Sequence, residues 1–122
     1  MANAVATFRR NHDNERNATF GVDIQPGGLV VLPGGMIGIN NSLNIIPANS
    51  VGRYSTEGVV ELLVTNTPAS AIAEGGVLKL TVASSIVTDV VNGSGTAVGA
   101  LRSALPASAG PHTVRIALNA AK

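Results

Sequence analysis

The sequence predicts an all-β protein, a small β-barrel or β-sandwich of short antiparallel strands with an extended N-terminal arm. Three observations carry that expectation. Apolar residues recur in short runs with the two-residue period of strands rather than at helical intervals. Fourteen glycines and six prolines cut these runs into pieces too short for long helices. The apolar fraction is 45% while aromatics make up 2%, so the core must be assembled from Val, Ile, Leu and Ala. A chain of 122 residues is the right size for one such core.

Residues 1–18 are set apart as the arm and 19–122 as the barrel or sandwich domain. Arg9-Arg10-Asn11-His12-Asp13-Asn14-Glu15-Arg16-Asn17 contains no apolar residue, and such a stretch has nothing to place in a core. It reads either as a polar tail or as an arm that orders on a neighbouring subunit, anchored by Val5 and Phe8 before it and Phe20 after it. Residues 19–24 alternate as a strand does, and Pro26-Gly27-Gly28 turns the chain. Leu29-Val30-Val31-Leu32 is a continuous apolar run, short enough for a buried strand. Pro33-Gly34-Gly35 ends it, and Met36-Ile37-Gly38-Ile39 follows as its hairpin partner. Residues 40–55 are loop-like and rich in Asn and Ser, with a short strand possible at 43–46.

The second half is more regular. Residues 57–65 carry apolar side chains on both faces, Val59 and Leu63 on one and Val60, Leu62 and Val64 on the other, which predicts a central strand. A connection at 68–76 has room for one helical turn at 69–73. Residues 77–82 alternate, with Leu78, Leu80 and Val82 inward and Lys79 and Thr81 outward. Residues 86–91 pair back across Ala83-Ser84-Ser85. Gly99 inside and Pro106 after the next run favour a strand at 96–104 over a helix. Residues 113–118 close the sheet, with Val114, Ile116 and Leu118 inward and Arg115 outward.

Composition and motifs argue against several function classes. Charged residues make up 12% of the chain and the net charge is +1, with basic residues scattered from Arg9 to Lys122. Nucleic-acid binders concentrate cations on one face and add aromatic stacking platforms, so no nucleic-acid partner is expected. No run approaches the roughly 20 apolar residues of a spanning helix, and the N-terminus lacks the pattern of a signal peptide. No membrane partner is expected, and the chain is expected to be made in the cytosol. With no cysteine there is no thiolate chemistry. Gly93-Ser94-Gly95-Thr96-Ala97-Val98-Gly99 lacks the spacing of a dinucleotide or Walker loop and reads as a hairpin turn. His12-Asp13-Asn14-Glu15 gathers potential metal ligands but nothing to fix their geometry. His112 reads as a capping or surface residue, and Glu57 and Glu61 share a strand face without a polar cluster around them. Hence no enzyme, no cofactor and no metal site is expected.

One resemblance adds to this. Glu57-Gly58-Val59-Val60-Glu61-Leu62, then Ala71-Ile72-Ala73-Glu74-Gly75-Gly76-Val77, then Gly95-Thr96-Ala97-Val98-Gly99 and finally Val114-Arg115-Ile116-Ala117-Leu118 form an ordered series. It resembles the small capsid decoration (cement) proteins of tailed bacteriophages, in the family formerly called domain of unknown function 2190. The likeness covers roughly residues 54–118, and residues 20–39 match the family's opening more loosely. Leu78-Lys79-Leu80 stands where the family often has an aromatic, and the Asn-rich stretch at 40–50 is longer than the family's pattern. The resemblance implies a protein of the outer capsid surface of a virion, bound to the major capsid protein and bridging neighbouring subunits, often as a homotrimer. In that setting the arm would reach over adjacent subunits, with Val5, Phe8, Arg9, Arg10, Arg16 and Phe20 as capsid or subunit contacts. The alternative is a carbohydrate- or host-surface-binding module displayed on a virion, for which Tyr54 is the one plausible aromatic platform.

Overall fold

The computed structural model describes residues 3–10, 15–66 and 71–120, with residues 7–10 as backbone. All regular structure in them is β: β1 (Ala6–Arg10), β2 (Glu15–Thr19), β3 (Leu29–Val31), β4 (Ile37–Asn40), β5 (Val51–Ser55), β6 (Val59–Asn66), β7 (Val77–Ala83), β8 (Ile86–Val91), β9 (Thr96–Leu101) and β10 (Gly110–Leu118). The strands run in the order β1-β6-β10-β9-β7-β8-β3-β4-β5-β2, and an added pairing of β6 with β8 closes five of them into a ring. That closure is a single parallel bridge between Thr65 and Val90. The other four strand pairs of the ring are antiparallel. The expected all-β barrel is therefore the observed fold.

Alternation sets what each strand buries. In β6, Val60, Leu62 and Val64 are fully buried, and in β10 Val114, Ile116 and Leu118 face the same core. Leu78 and Leu80 of β7 join them as expected, whereas Val82 is only half-buried. The second apolar face expected on β6 is not a core face: Leu63 is 55% exposed and Val59 half-buried. The β6 strand is central all the same, flanked by β1 and β10. The β8–β9 connection is not a hairpin, because β9 lands on the far side of β7 and pairs with that strand. Residues 71–76 hold no helical turn; Ile72 bridges to Leu105 instead, and the remainder of the segment expected there lies outside the described residues.

The N-terminal expectation is revised here. The segment is extended, but it belongs to the sheet of its own chain. Ala4 and Ala6 are 1% and 3% exposed within the main core. The Ala4 amide donates to the Val87 carbonyl, and the Ala4 carbonyl accepts from Leu29. Asn3 donates from Nδ2 to the carbonyls of Leu29 and Val87, both at 2.8 Å, doing with a side chain what a strand does with its backbone. On either side of residues 11–14 the chain runs antiparallel to one continuous stretch, β1 along β6 and β2 along β5. Five steps along the chain from Arg10 to Glu15 are matched by four from Val59 back to Ser55, so the two registers nearly coincide. A boundary after residue 18 thus falls inside a strand, and Ala18 itself is buried.

Strands β3, β4, β5 and β2 form a flap whose two faces serve two cores. Leu29, Ile37 and Ile39 face the barrel, whereas Val30, Leu32, Tyr54, Ala18 and Ile24 form a smaller cluster on the other side. Tyr54 lies over Gly38 and Gly52. A Cβ at Gly38 would sit 2.8 Å from that of Tyr54, and one at Gly52 would sit 2.7 Å from the Ile46 side chain and 3.1 Å from the Tyr54 hydroxyl, so the small cluster packs over both positions only because neither carries a side chain. Phe20 meets it edge to face, with ring centroids 5.3 Å apart and planes at 89°.

Candidate interaction surfaces

Several groups that sequence reading singled out for chemistry make contacts within the fold. His112 Nε2 lies 2.9 Å from the Ser108 carbonyl and 3.2 Å from its hydroxyl. A carbonyl only accepts, so Nε2 carries the hydrogen and does not act as a base toward the Ser108 hydroxyl. Glu61 sits opposite Arg115 across the β6–β10 pair, with Arg115 Nε 3.4 Å from its carboxylate. Gly93-Ser94-Gly95 is a turn stapled by Asn92, whose Oδ1 accepts from the Ser94 amide at 2.9 Å. Among the described residues no three His, Asp or Glu side chains converge on a point. His12, Asp13 and Asn14 lie outside them, and Glu15 is turned to Arg53 at 3.6 Å.

The predicted contact residues part company. Val5 bridges to Gly28 and is half-buried, and Phe20 is packed against the small core, so both are engaged within their own fold. Phe8, Arg9 and Arg10 stand in β1 opposite Glu61, Val60 and Val59, and their side chains lie outside the described structure. Arg16 is exposed in β2, opposite Tyr54. Among the described residues β2 has β5 as its one strand neighbour, which makes it, like β1 at the other end of the strand order, an edge outside the closed ring. Its exposed residues Glu15, Arg16, Asn17 and Thr19 are polar, and its other edge carries backbone donors and acceptors.

A second surface was not legible in the sequence. The loop between β4 and β5 is built around Asn40, which is fully buried. Its Nδ2 faces the carbonyls of Ile24, Gln25 and Asn44 at 3.0–3.1 Å. Its Oδ1 accepts from the Ser42 amide at 3.0 Å and the Ser42 hydroxyl at 2.7 Å. Three acceptors on one side and two donors on the other fix which end of the amide is which. Further along, Ile46 bridges to Ile24, the Ala48 amide donates to Asp23 Oδ1 at 2.8 Å and the Asn49 amide donates to the Phe20 carbonyl at 2.7 Å. Held this way, Leu43 is 88% exposed and Ile45 55% exposed. Val22 and Val51 flank the loop and are also exposed. Leu43 and Ile45 are thus exposed aliphatic side chains on a loop fixed by hydrogen bonds.

Comparison with protein-family models, with curated proteins and with solved structures finds no match to this chain.

Proposed function

We propose that this protein is a structural binding module that cements a phage head. In this reading it docks on the outer surface of the capsid, contacts the major capsid protein and bridges neighbouring subunits, with copies of itself associating as a homotrimer on that surface. The observation that supports it is β2, carrying Arg16, which among the described residues pairs with β5 alone and lies outside the five-stranded ring. Closed barrels remove strand edges, and an edge left open is a place where an extended segment of a partner adds main-chain hydrogen bonds. Arg16 beside that edge supplies a cation for a shell carboxylate. Packaged DNA presses a shell outward, and many modest contacts at symmetric positions sum through multivalency. The resemblance of the ordered motif series to decoration proteins supports the same reading.

The test is co-sedimentation with undecorated heads. Deleting residues 2–17 would strip Ala4 and Ala6 from the core, so a surface substitution is the cleaner probe. Wild-type protein is expected to pellet with the heads, and Arg16→Glu to bind at least about tenfold more weakly, the loss of one charge-assisted contact. Wild-type protein that stays in the supernatant would sink the proposal. The alternative of a glycan-binding module has lost its platform, since Tyr54 is fully buried.

A further inference from the structure

Two features of the fold have no counterpart within the same molecule. One is the knob formed by Leu43 and Ile45, held out by the Asn40 network. The other is an apolar cleft of ≈ 260 Å³ lined by Ile72, Val77, Val91, Gly93 and Lys79. An apolar cavity of ~150 Å³ already accommodates a benzene ring, so this cleft has room for a pair of aliphatic side chains. Topology keeps knob and cleft apart. Strand β8 meets the flap at Ile86, which pairs with Val30, whereas Val91 lies at its other end, about 17 Å along the strand. The loop is fastened to Ile24 and Gln25 beyond β3, so it does not fold back into the cleft of its own chain.

We propose that the knob of one copy seats in the cleft of the next, Leu43 and Ile45 against Ile72, Val77 and Val91. This deepens the self-association in the reading above and rests on it for its setting. The chemistry of the two surfaces matches. No charged residue occurs between Ile24 and Gly52, so the knob brings no charge into an apolar cleft. Lys79, at the cleft, meets Asn41 and Asn44, which are exposed beside the knob and offer neutral acceptors. Because knob and cleft are different patches, the contact is head-to-tail and repeats from copy to copy, giving a ring wherever the rotation closes. A few aliphatic side chains fall well short of the ~800 Å² per partner of a stable complex. Association in free solution is therefore weak and rises with concentration, and copies gathered on one surface are held more firmly.

The chain has no cysteine, which makes disulfide trapping clean. Oxidised Leu43→Cys/Val77→Cys protein is expected to form covalent species larger than a dimer, and each single-cysteine variant to stop at dimers. In sedimentation velocity, wild-type protein is expected to gain mass with concentration. Leu43→Ser/Ile45→Ser is expected to need at least about tenfold more protein for the same gain, with little change in melting temperature because Leu43 is almost wholly and Ile45 more than half exposed. Wild-type protein that stays monomeric to millimolar concentration, or self-association indifferent to the double substitution, would overturn the proposal. Head binding is scored separately, at protein concentrations where wild type is monomeric. Loss of self-association with head binding intact removes only this contact, and the converse removes only the capsid reading.

Discussion

Replacing Asn40 should cost more stability than any other single change to the loop, and two replacements should fail in a set order. The Nδ2 group has two hydrogens to share among three carbonyls, so it makes at most two full hydrogen bonds, and Oδ1 accepts two more. At about 0.5–1.5 kcal/mol net for each, and less for those near solvent, Asn40→Ala should lose about 2–3 kcal/mol. The loss stays at that level because the abandoned carbonyls keep other donors. Ile24 still accepts from the Ile46 amide and Gln25 from the Gly28 amide, and the one hydrogen of the Ser42 hydroxyl, no longer shared with Asn40, is left to Asn44. Asn40→Asp keeps the shape but turns a carboxylate oxygen toward those carbonyls in a fully buried site. Leaving a buried charge uncompensated costs about 3–5 kcal/mol, so the near-isosteric change should be the worse one. Urea denaturation measures both, and for a chain of this size Asn40→Ala should melt about 10 °C below wild type. A loss under about 0.5 kcal/mol for Asn40→Ala, or an Asn40→Asp protein more stable than Asn40→Ala, would refute the account of the loop.

Three other perturbations follow from particular sites. Among the described residues the buried Tyr54 hydroxyl has no hydrogen-bond partner, so Tyr54→Phe should gain about 1 kcal/mol at neutral pH in denaturant unfolding. Burial also raises the Tyr54 pKa. The folded state thus holds this proton more tightly than the unfolded chain, and the corresponding stability is intact below about pH 10 and lost as pH rises beyond it. Tyr54→Phe should flatten that alkaline loss, as melting temperatures on either side of pH 10 would reveal. Ser84 and Ser85 form the two-residue β7–β8 turn with φ of 51° and 67°, values that Asn-Gly adopts with far less strain. Ser84→Asn/Ser85→Gly should therefore stabilise by about 1 kcal/mol, read as a higher urea midpoint. A Cβ on Gly99 would collide with the Ala117 carbonyl in the neighbouring strand, a backbone atom that has no way to swing aside. Gly99→Ala should cost about 2 kcal/mol or more, measured the same way.

What was legible in the sequence follows from what each strand buries. The β3–β4 hairpin and strands β6, β7, β8 and β10 place apolar residues at alternate positions against the main core, and period two is the signal sequence reading detects. Strand β2 escapes it because an edge strand buries little: Ala18 is its one inward apolar residue, and Glu15, Arg16 and Asn17 read as tail. In β5 the inward positions are Gly52 and Tyr54, and a side chain at Gly52 would collide with Ile46, so alternation disappears from the text while persisting in space. The N-terminal strand reaches the core with two alanines, too small to register as an apolar run. The same blindness hid the loop. Leu43, Ile45 and Ile46 look like a short buried strand, yet only Ile46 packs inward, because Asn40 and not hydrophobic burial decides where that segment lies.

This last point bears on function. A loop of 10 residues between β4 and β5 is longer than a hairpin needs, and most such loops are variable and mobile. Here a buried amide, a carboxylate on the Ala48 amide and an isolated bridge hold the chain in one shape. Ordering those residues opposes folding by about 1–2 kcal/mol each, and the hydrogen bonds that offset it contribute only about 1 kcal/mol apiece. A fold under selection for stability alone would turn Leu43 and Ile45 inward or shorten the loop. Keeping both exposed on a rigid support places the ordering cost in folding rather than in binding, which is the logic of a preorganised contact. In the proposed reading, Arg16 on the β2 edge would act as a steering charge and the aliphatic knob on its fastened loop as an apolar anchor. The division predicts different salt dependence. Contacts through Arg16 should weaken between low and high ionic strength, whereas those through Leu43 and Ile45 should hold or tighten.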